Sequence, residues 1–169
     1  MSCARPLASK PMDHPQKSFM RLAIDKAMEG VDHGQTPFGA CIVKGEKVVA
    51  LEHNVVGETT DITAHAEIHA IREACHTLNT IDLSGCEIYS TCEPCPMCFT
   101  ACHWARLDRI ISGTDISDAK AFGFNELTVS NEVLREKGGS DIEIVSGFLR
   151  DECLVVFERF SQRQNRLLY

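Results

Sequence analysis

Between Phe19 and Val31 the apolar residues Leu22, Ala23, Ala27 and Met28 return at steps of three and four. That spacing puts them on one face of an α-helix, and Gly30 and Gly34 stand where such a helix should stop. The period then changes. FGACIV and VVALEHNVV are runs rich in β-branched residues around the short turn KGEK, which predicts a hairpin. After the polar loop GETTDIT, the segment HAEIHAIREACHTL carries Ile68, Ala70, Ile71, Ala74 and Leu78 at helical spacing, with Thr63 as its candidate cap. CEIYST reads as a strand. PMCFTACHWAR reads as a helix opened by Pro96, whose fixed φ and missing N–H suit a first turn. RIISGT is a further strand, followed by a loop, a helix near Leu127 to Lys137, the loop GGSD, the strand IEIVSGFL and a final helix, DECLVVFERFSQRQ.

Strands joined through a helix run parallel, whereas a hairpin pair must be antiparallel. The order of elements therefore predicts an α/β fold in three layers, αβα, with a mixed five-stranded sheet covered by helices on both faces. A chain of 169 residues fills one such domain, placed at 18–169. Residues 1–17, MSCARPLASKPMDHPQK, hold three prolines and no apolar run, and are expected to form a mobile arm rather than a secretory signal.

Charge narrows the classes of partner. The net charge is −7, so the broad positive field of a general nucleic-acid binder is missing. No apolar run approaches the roughly 18 residues of a membrane span. Nine cysteines, an odd number without an export signal, are expected to be reduced thiols of a cytoplasmic protein, with Cys41, Cys75, Cys86 and Cys153 as small core residues.

The remaining cysteines cluster. CEPCPMCFTAC places Cys92, Cys95, Cys98 and Cys102 at the spacing of a bacterial iron–sulfur site, but His103 stands where that pattern has proline. A helix starting at Pro96 also puts Cys98 and Cys102 on one face and leaves Cys92 back in a strand. A zinc site would take Cys95 and Cys98 and needs a ligand from elsewhere; His65, at the start of another predicted helix, is the candidate. Two helix N-termini aimed at one place favour thiolates. Three protein ligands leave a fourth position for water, as in catalytic zinc sites. Glu67 would stand beside the metal as a proton carrier. His69 does not complete an HExxH motif and reads as an ordinary polar helix residue.

HAE at 65–67 followed by PCPMC at 94–98 is the HxE…PCxxC pattern of zinc nucleobase deaminases. With PFGA at 37–40, HN at 53–54, TAHAE, AIREAC, HWAR, GFNE at 123–126 and a terminal tyrosine, the chain resembles bacterial guanine deaminases of the cytidine-deaminase fold from about residue 19 to Tyr169. The resemblance implies Zn2+ on His65, Cys95 and Cys98, a metal-activated water that attacks the amino-bearing carbon of a free base, and Glu67 as proton shuttle. It also implies substrate contacts from Asn54, the Ala66 backbone, Phe38, Glu126, Trp104 and Tyr169. GFNE departs from the GFDD usual in the family, putting glutamate where aspartate is common. The family further implies a homodimer whose C-terminal segment, here NRLLY at 165–169, crosses to the partner's pocket. Two other substrate classes stay open: adenosine in tRNA, whose deaminases share both motifs, and other amino-substituted rings such as cytosine or guanosine. A structural zinc module with Glu67 idle is the non-enzymatic alternative.

Overall fold

The computed structural model describes residues 14–169. Most of the expected arm, residues 1–13, lies outside the described residues. Helix α1 (Lys17–Asp32) begins at Lys17, and the Gln16 N–H donates to the Tyr89 hydroxyl at 3.0 Å.

A hairpin of β1 (Gly39–Lys44) and β2 (Lys47–His53) follows α1. A single short turn of helix, α2 (Val56–Thr59), precedes α3 (Ala66–Leu78). Then come β3 (Cys86–Cys92), α4 (Pro96–Trp104), β4 (Arg109–Thr114), α5 (Ile116–Ala121), α6 (Asn131–Gly138), β5 (Glu143–Val145) and α7 (Arg150–Ser161). The strand order is β2-β1-β3-β4-β5; β1 pairs antiparallel with both neighbours, while β3, β4 and β5 are parallel.

Alternation along the strands builds two cores. Cys41, Val43, Tyr89 and Ile111 pack with α1 and α7 on one face, and Ala40, Ile42, Ile88 and Ile110 pack with α3 and α4 on the other. Because both faces are covered, β3 and β4 are buried along their whole length, polar positions included. Gly113 lets α7 lie directly on β4: a Cβ there would collide with the Cys153 side chain and come within 2.8 Å of the Thr91 carbonyl oxygen.

The differences from the sequence reading have local causes. Helix α5 occupies part of what reads as a loop, because six residues are too few to show a period. It is started by a reciprocal cap in which Asp115 accepts from the Asp118 N–H at 2.9 Å and Asp118 accepts from the Asp115 N–H at 3.1 Å. Helix α6 begins at Asn131 rather than near Leu127, since Ser130 accepts from the Val133 N–H and caps it there. Thr63 is not the cap of α3. Its N–H and hydroxyl both donate to Asp61, closing a turn, and His65 takes the cap position. Strand β5 has only three residues, and α7 follows Leu149 in the left-handed region at φ 54°. Among the described residues no helix is long and apolar enough to cross a membrane.

Candidate metal centre and active site

The N-termini of α3 and α4 meet at the C-terminal end of β3. His65 caps α3 in extended backbone, and Cys95 caps α4 ahead of Pro96 at its first position. Pro96 costs the helix nothing here, because a first-turn N–H has no intrahelical acceptor. One turn on, Cys98 points back to the same place. His65 Nδ1 lies 3.7 Å from Cys95 Sγ and 3.6 Å from Cys98 Sγ. A tetrahedral zinc ion with ordinary Zn–S and Zn–N bonds separates such atoms by about 3.6 Å, so the donor set fits that ion.

The thiols are already polarised for it. The Cys98 thiol hydrogen-bonded to Cys95, with His65 beside it, brings Cys95 down to about 4, while the same hydrogen bond and burial hold Cys98 above its ordinary value. The other two cysteines of the run are placed differently. Cys92 Sγ donates to the Asp115 carbonyl at 3.5 Å, and Cys102 is buried in the core beneath α3 and α4. Among the described residues, His65, Cys95 and Cys98 form the group in this region whose ligand atoms converge.

Glu67 sits one helical step inside the centre and is only 4% exposed. Its Oε1 accepts from the Ser90 hydroxyl of β3 at 3.0 Å, and its Oε2 from the Cys98 thiol at 3.5 Å. Burial raises its pKa above the ordinary carboxylate value, which eases its uptake of a proton.

Phe38, His65, Glu67, Cys92, Glu93, Cys95 and Glu126 line one small cavity of about 10 Å³. Phe38 serves the wall and the core together, packing edge-on against Phe124 at 4.9 Å and Phe157 at 5.5 Å. Glu126, from the segment between α5 and α6, has its pKa raised by burial and then by the Cys95 charge. Ala66 is buried at the first position of α3, where its N–H has no intrahelical acceptor.

Tyr169, the last residue, packs beside Asn54 and the His65 ring. Its hydroxyl accepts from Asn54 Nδ2 at 2.6 Å and stands 3.4 Å from the Thr36 hydroxyl; its ring lies 5.6 Å from that of His65. The Asn125 N–H donates to the Tyr169 backbone oxygen at 2.8 Å. Asn54 is fully buried, its carbonyl accepting from the Val56 N–H at 3.0 Å. Within one chain the tail thus lies against Asn54, Thr36 and the ring of His65. Of the expected contacts Phe38 and Glu126 line the cavity, whereas Asn54, Ala66 and Tyr169 lie outside its lining and Trp104 ends α4 with 77% of its surface exposed.

The sequence reading missed Glu93. Its two carboxylate oxygens accept from the N–H groups of Asn131 at 2.6 Å and Ile116 at 3.3 Å, and Asn131 Nδ2 donates to the Pro94 carbonyl at 2.6 Å. Both helices flanking the Glu126 segment are thus tied to the cysteine loop. The available signal was an acidic residue between two motif cysteines, where a solvated side chain is hard to place. Glu93 also borders a larger cavity of about 530 Å³ under Ser130 and Arg150, which holds neither the thiolates nor Glu67.

Residues 13–114 match the model of the cytidine and deoxycytidylate deaminase zinc-binding region. The chain belongs to that deaminase family. The family's zinc chemistry agrees with the donor set of His65, Cys95 and Cys98, and the mixed five-stranded sheet agrees with its solved members. The guanine deaminase of Bacillus subtilis (strain 168) is 41% identical over 123 residues, covering 72% of this chain and 78% of that protein. A crystal structure of guanine deaminase from Bacillus subtilis superposes with a TM-score of 0.65 over 67% of this deaminase and 73% of that chain. The tRNA-specific adenosine deaminase of the same strain is 34% identical over 135 residues, covering 80% and 81%. A further solved structure, a variant in complex with 8-azaguanine, is 25% identical with a TM-score of 0.79, covering 86% and 84%.

Proposed function

We propose that this deaminase hydrolyses free guanine to xanthine and ammonia. The observation that carries the reading is Glu126, a carboxylate lining the same cavity as Glu67, His65 and Cys95, where Glu93 is already taken up by two backbone N–H groups. Guanine offers adjacent donors, its N1–H and the exocyclic amine, which one carboxylate can accept together. Adenine offers an acceptor at N1 and opposes a carboxylate there. The likeness to guanine deaminase and to a structure holding 8-azaguanine supports the same choice.

A zinc ion held by His65, Cys95 and Cys98 would supply Lewis acidity and an attacking water of lowered pKa. The chain's residues do the rest. Glu67 takes one proton of the attacking water and passes it to the ring nitrogen beside the reacting carbon; it then takes the second, from the new hydroxyl, and gives it to the leaving amine as the C–N bond breaks and the carbonyl forms. Ser90 holds the carboxyl in place for these transfers. Phe38 stacks on the base and the Ala66 N–H steadies its edge. Asn54 exchanges its bond to Tyr169 for one to the substrate. A purine does not fit a 10 Å³ cavity, so Tyr169 swings out to admit it and returns to exclude water.

A tRNA adenosine deaminase is the second reading, favoured by the 34% identity across most of both chains. The net charge of −7 and a tail lying against Asn54 and the His65 ring weigh against it. The working form is a homodimer; tails exchanged between protomers would make the contacts that Tyr169 makes here within one chain.

Ammonia and xanthine release from guanine is measured beside Glu67→Gln protein of equal zinc content. Activity on guanine in the unaltered protein and a loss of about 10²–10⁴-fold in the variant are expected. No release from guanine, with inosine formed in a tRNA anticodon stem-loop, would overturn the substrate and leave the deaminase chemistry intact.

A further inference from the structure

We propose a second transition-metal site, formed by Glu29, His33 and His53 on the surface where the end of α1 meets the end of β2. One ligand atom from each of the three lies within 4.8 Å of the other two. Glu29 and His33 are four residues apart, so they lie one above the other at the end of α1. His53 is the last residue of β2, and its ring rests on Gly30, where an added Cβ would come within 2.9 Å of the imidazole Cγ. Helix and strand thus fix the two histidines relative to one another.

Chemistry favours an ion here over a plain cluster. His53 Nδ1 is 2.8 Å from the Asn54 carbonyl oxygen. A carbonyl only accepts, so Nδ1 carries the hydrogen and Nε2 holds the lone pair. That arrangement, one ring nitrogen anchored on a carbonyl and the other free, is the one a metal-ligating histidine ordinarily has. Glu29 is the anionic third ligand. Its Oε1 accepts from Lys26 Nζ at 2.9 Å, so an ion binds through the other oxygen or displaces the lysine. Two imidazoles and one carboxylate suit Zn2+, Ni2+ or Cu2+ and not Mg2+ or Ca2+. Glu29 and His33 are exposed, so the ion enters from solvent and keeps water in its remaining positions. The site adjoins the active centre through the chain itself: the residue after His53 is Asn54, which holds the Tyr169 hydroxyl.

The test uses the full chain carrying one zinc ion, dialysed against a rising concentration of free Zn2+ at neutral pH, with bound metal counted per chain. Two ions per chain are expected for the unaltered protein, one for His33→Ala, and a second ion bound at least tenfold more weakly for Glu29→Gln. Cu2+ bound as the second ion should show hyperfine coupling to two imidazole nitrogens, reduced to one in His33→Ala. Circular dichroism confirms that both variants keep the fold, which their exposed positions permit. A holoprotein that takes up no second ion at millimolar Zn2+ overturns the site. So does a second ion retained undiminished in His33→Ala, which would place it on other ligands. None of these readouts depends on which base is deaminated.

Discussion

Replacing Glu93 with alanine removes the acceptor of two backbone N–H groups, those of Asn131 at 2.6 Å and Ile116 at 3.3 Å, without touching a metal ligand. Both donors belong to buried residues at helix starts, where the helix provides no alternative acceptor. An orphaned buried N–H costs roughly 1–3 kcal/mol, so two of them cost about 2–6. Part of this is returned, because burial already disfavours the Glu93 carboxylate, as its raised pKa records. A net loss of about 3 kcal/mol follows, or a Tm lowered by roughly 6–12 °C in a chain of this size. Glu93→Gln keeps one acceptor and turns an amide toward the other N–H, so it should fall about halfway. The assay is urea unfolding of zinc-loaded protein followed by circular dichroism, with KM measured on the same samples. Because α5 and α6 flank the segment carrying Glu126, KM should rise more than kcat falls. Glu93→Ala protein within 1 kcal/mol of the parent, zinc retained and KM unchanged, would refute the reasoning.

Cys92→Ser should keep one zinc per chain, whereas Cys95→Ala should lose it; equal loss from both, measured by metal analysis, would restore the four-cysteine cluster. Tyr169→Phe gives up the 2.6 Å bond to Asn54, so KM should rise about 2- to 10-fold with zinc content unchanged. Asp115 is held below its ordinary 3.8 by hydrogen bonds from the Ser117 hydroxyl and the Asp118 N–H. Its folded pKa is the lower one, so its contribution is complete above the unfolded value and disappears as pH falls through the folded value. Asp115→Asn should therefore flatten the acid limb of a stability profile below about pH 4, with little slope change near neutrality.

The converging donor set of His65, Cys95 and Cys98 was legible because each of its constraints is local. CxxC and HxE are short spacings, and Pro96 announces the helix that brings Cys98 back toward Cys95. The two buried central strands were legible as well, as short runs around Ile88–Tyr89 and Ile110–Ile111 set between helical segments. Helix α5 was not, because its signal is a pair of aspartates rather than a hydrophobic period. Glu93 was hidden for a related reason: its partners are N–H groups 23 and 38 residues away, and backbone donors leave no mark in a sequence. Trp104 ends α4 with its ring largely exposed in the single chain, a placement that its position beside a motif helix does not reveal in sequence. The direction taken by the tail could not be read either, since NRLLY makes the same contacts whether it folds back or crosses over.

The proposed closure by Tyr169 has a kinetic corollary. If the mouth must open for a base to enter and again for the product to leave, every catalytic cycle contains two excursions of one short segment through solvent. The slower of these sets a ceiling on kcat however fast the proton transfers are. Turnover limited in this way should fall as glycerol or sucrose thickens the solvent, whereas a chemically limited rate would follow the isotopic composition of the water instead.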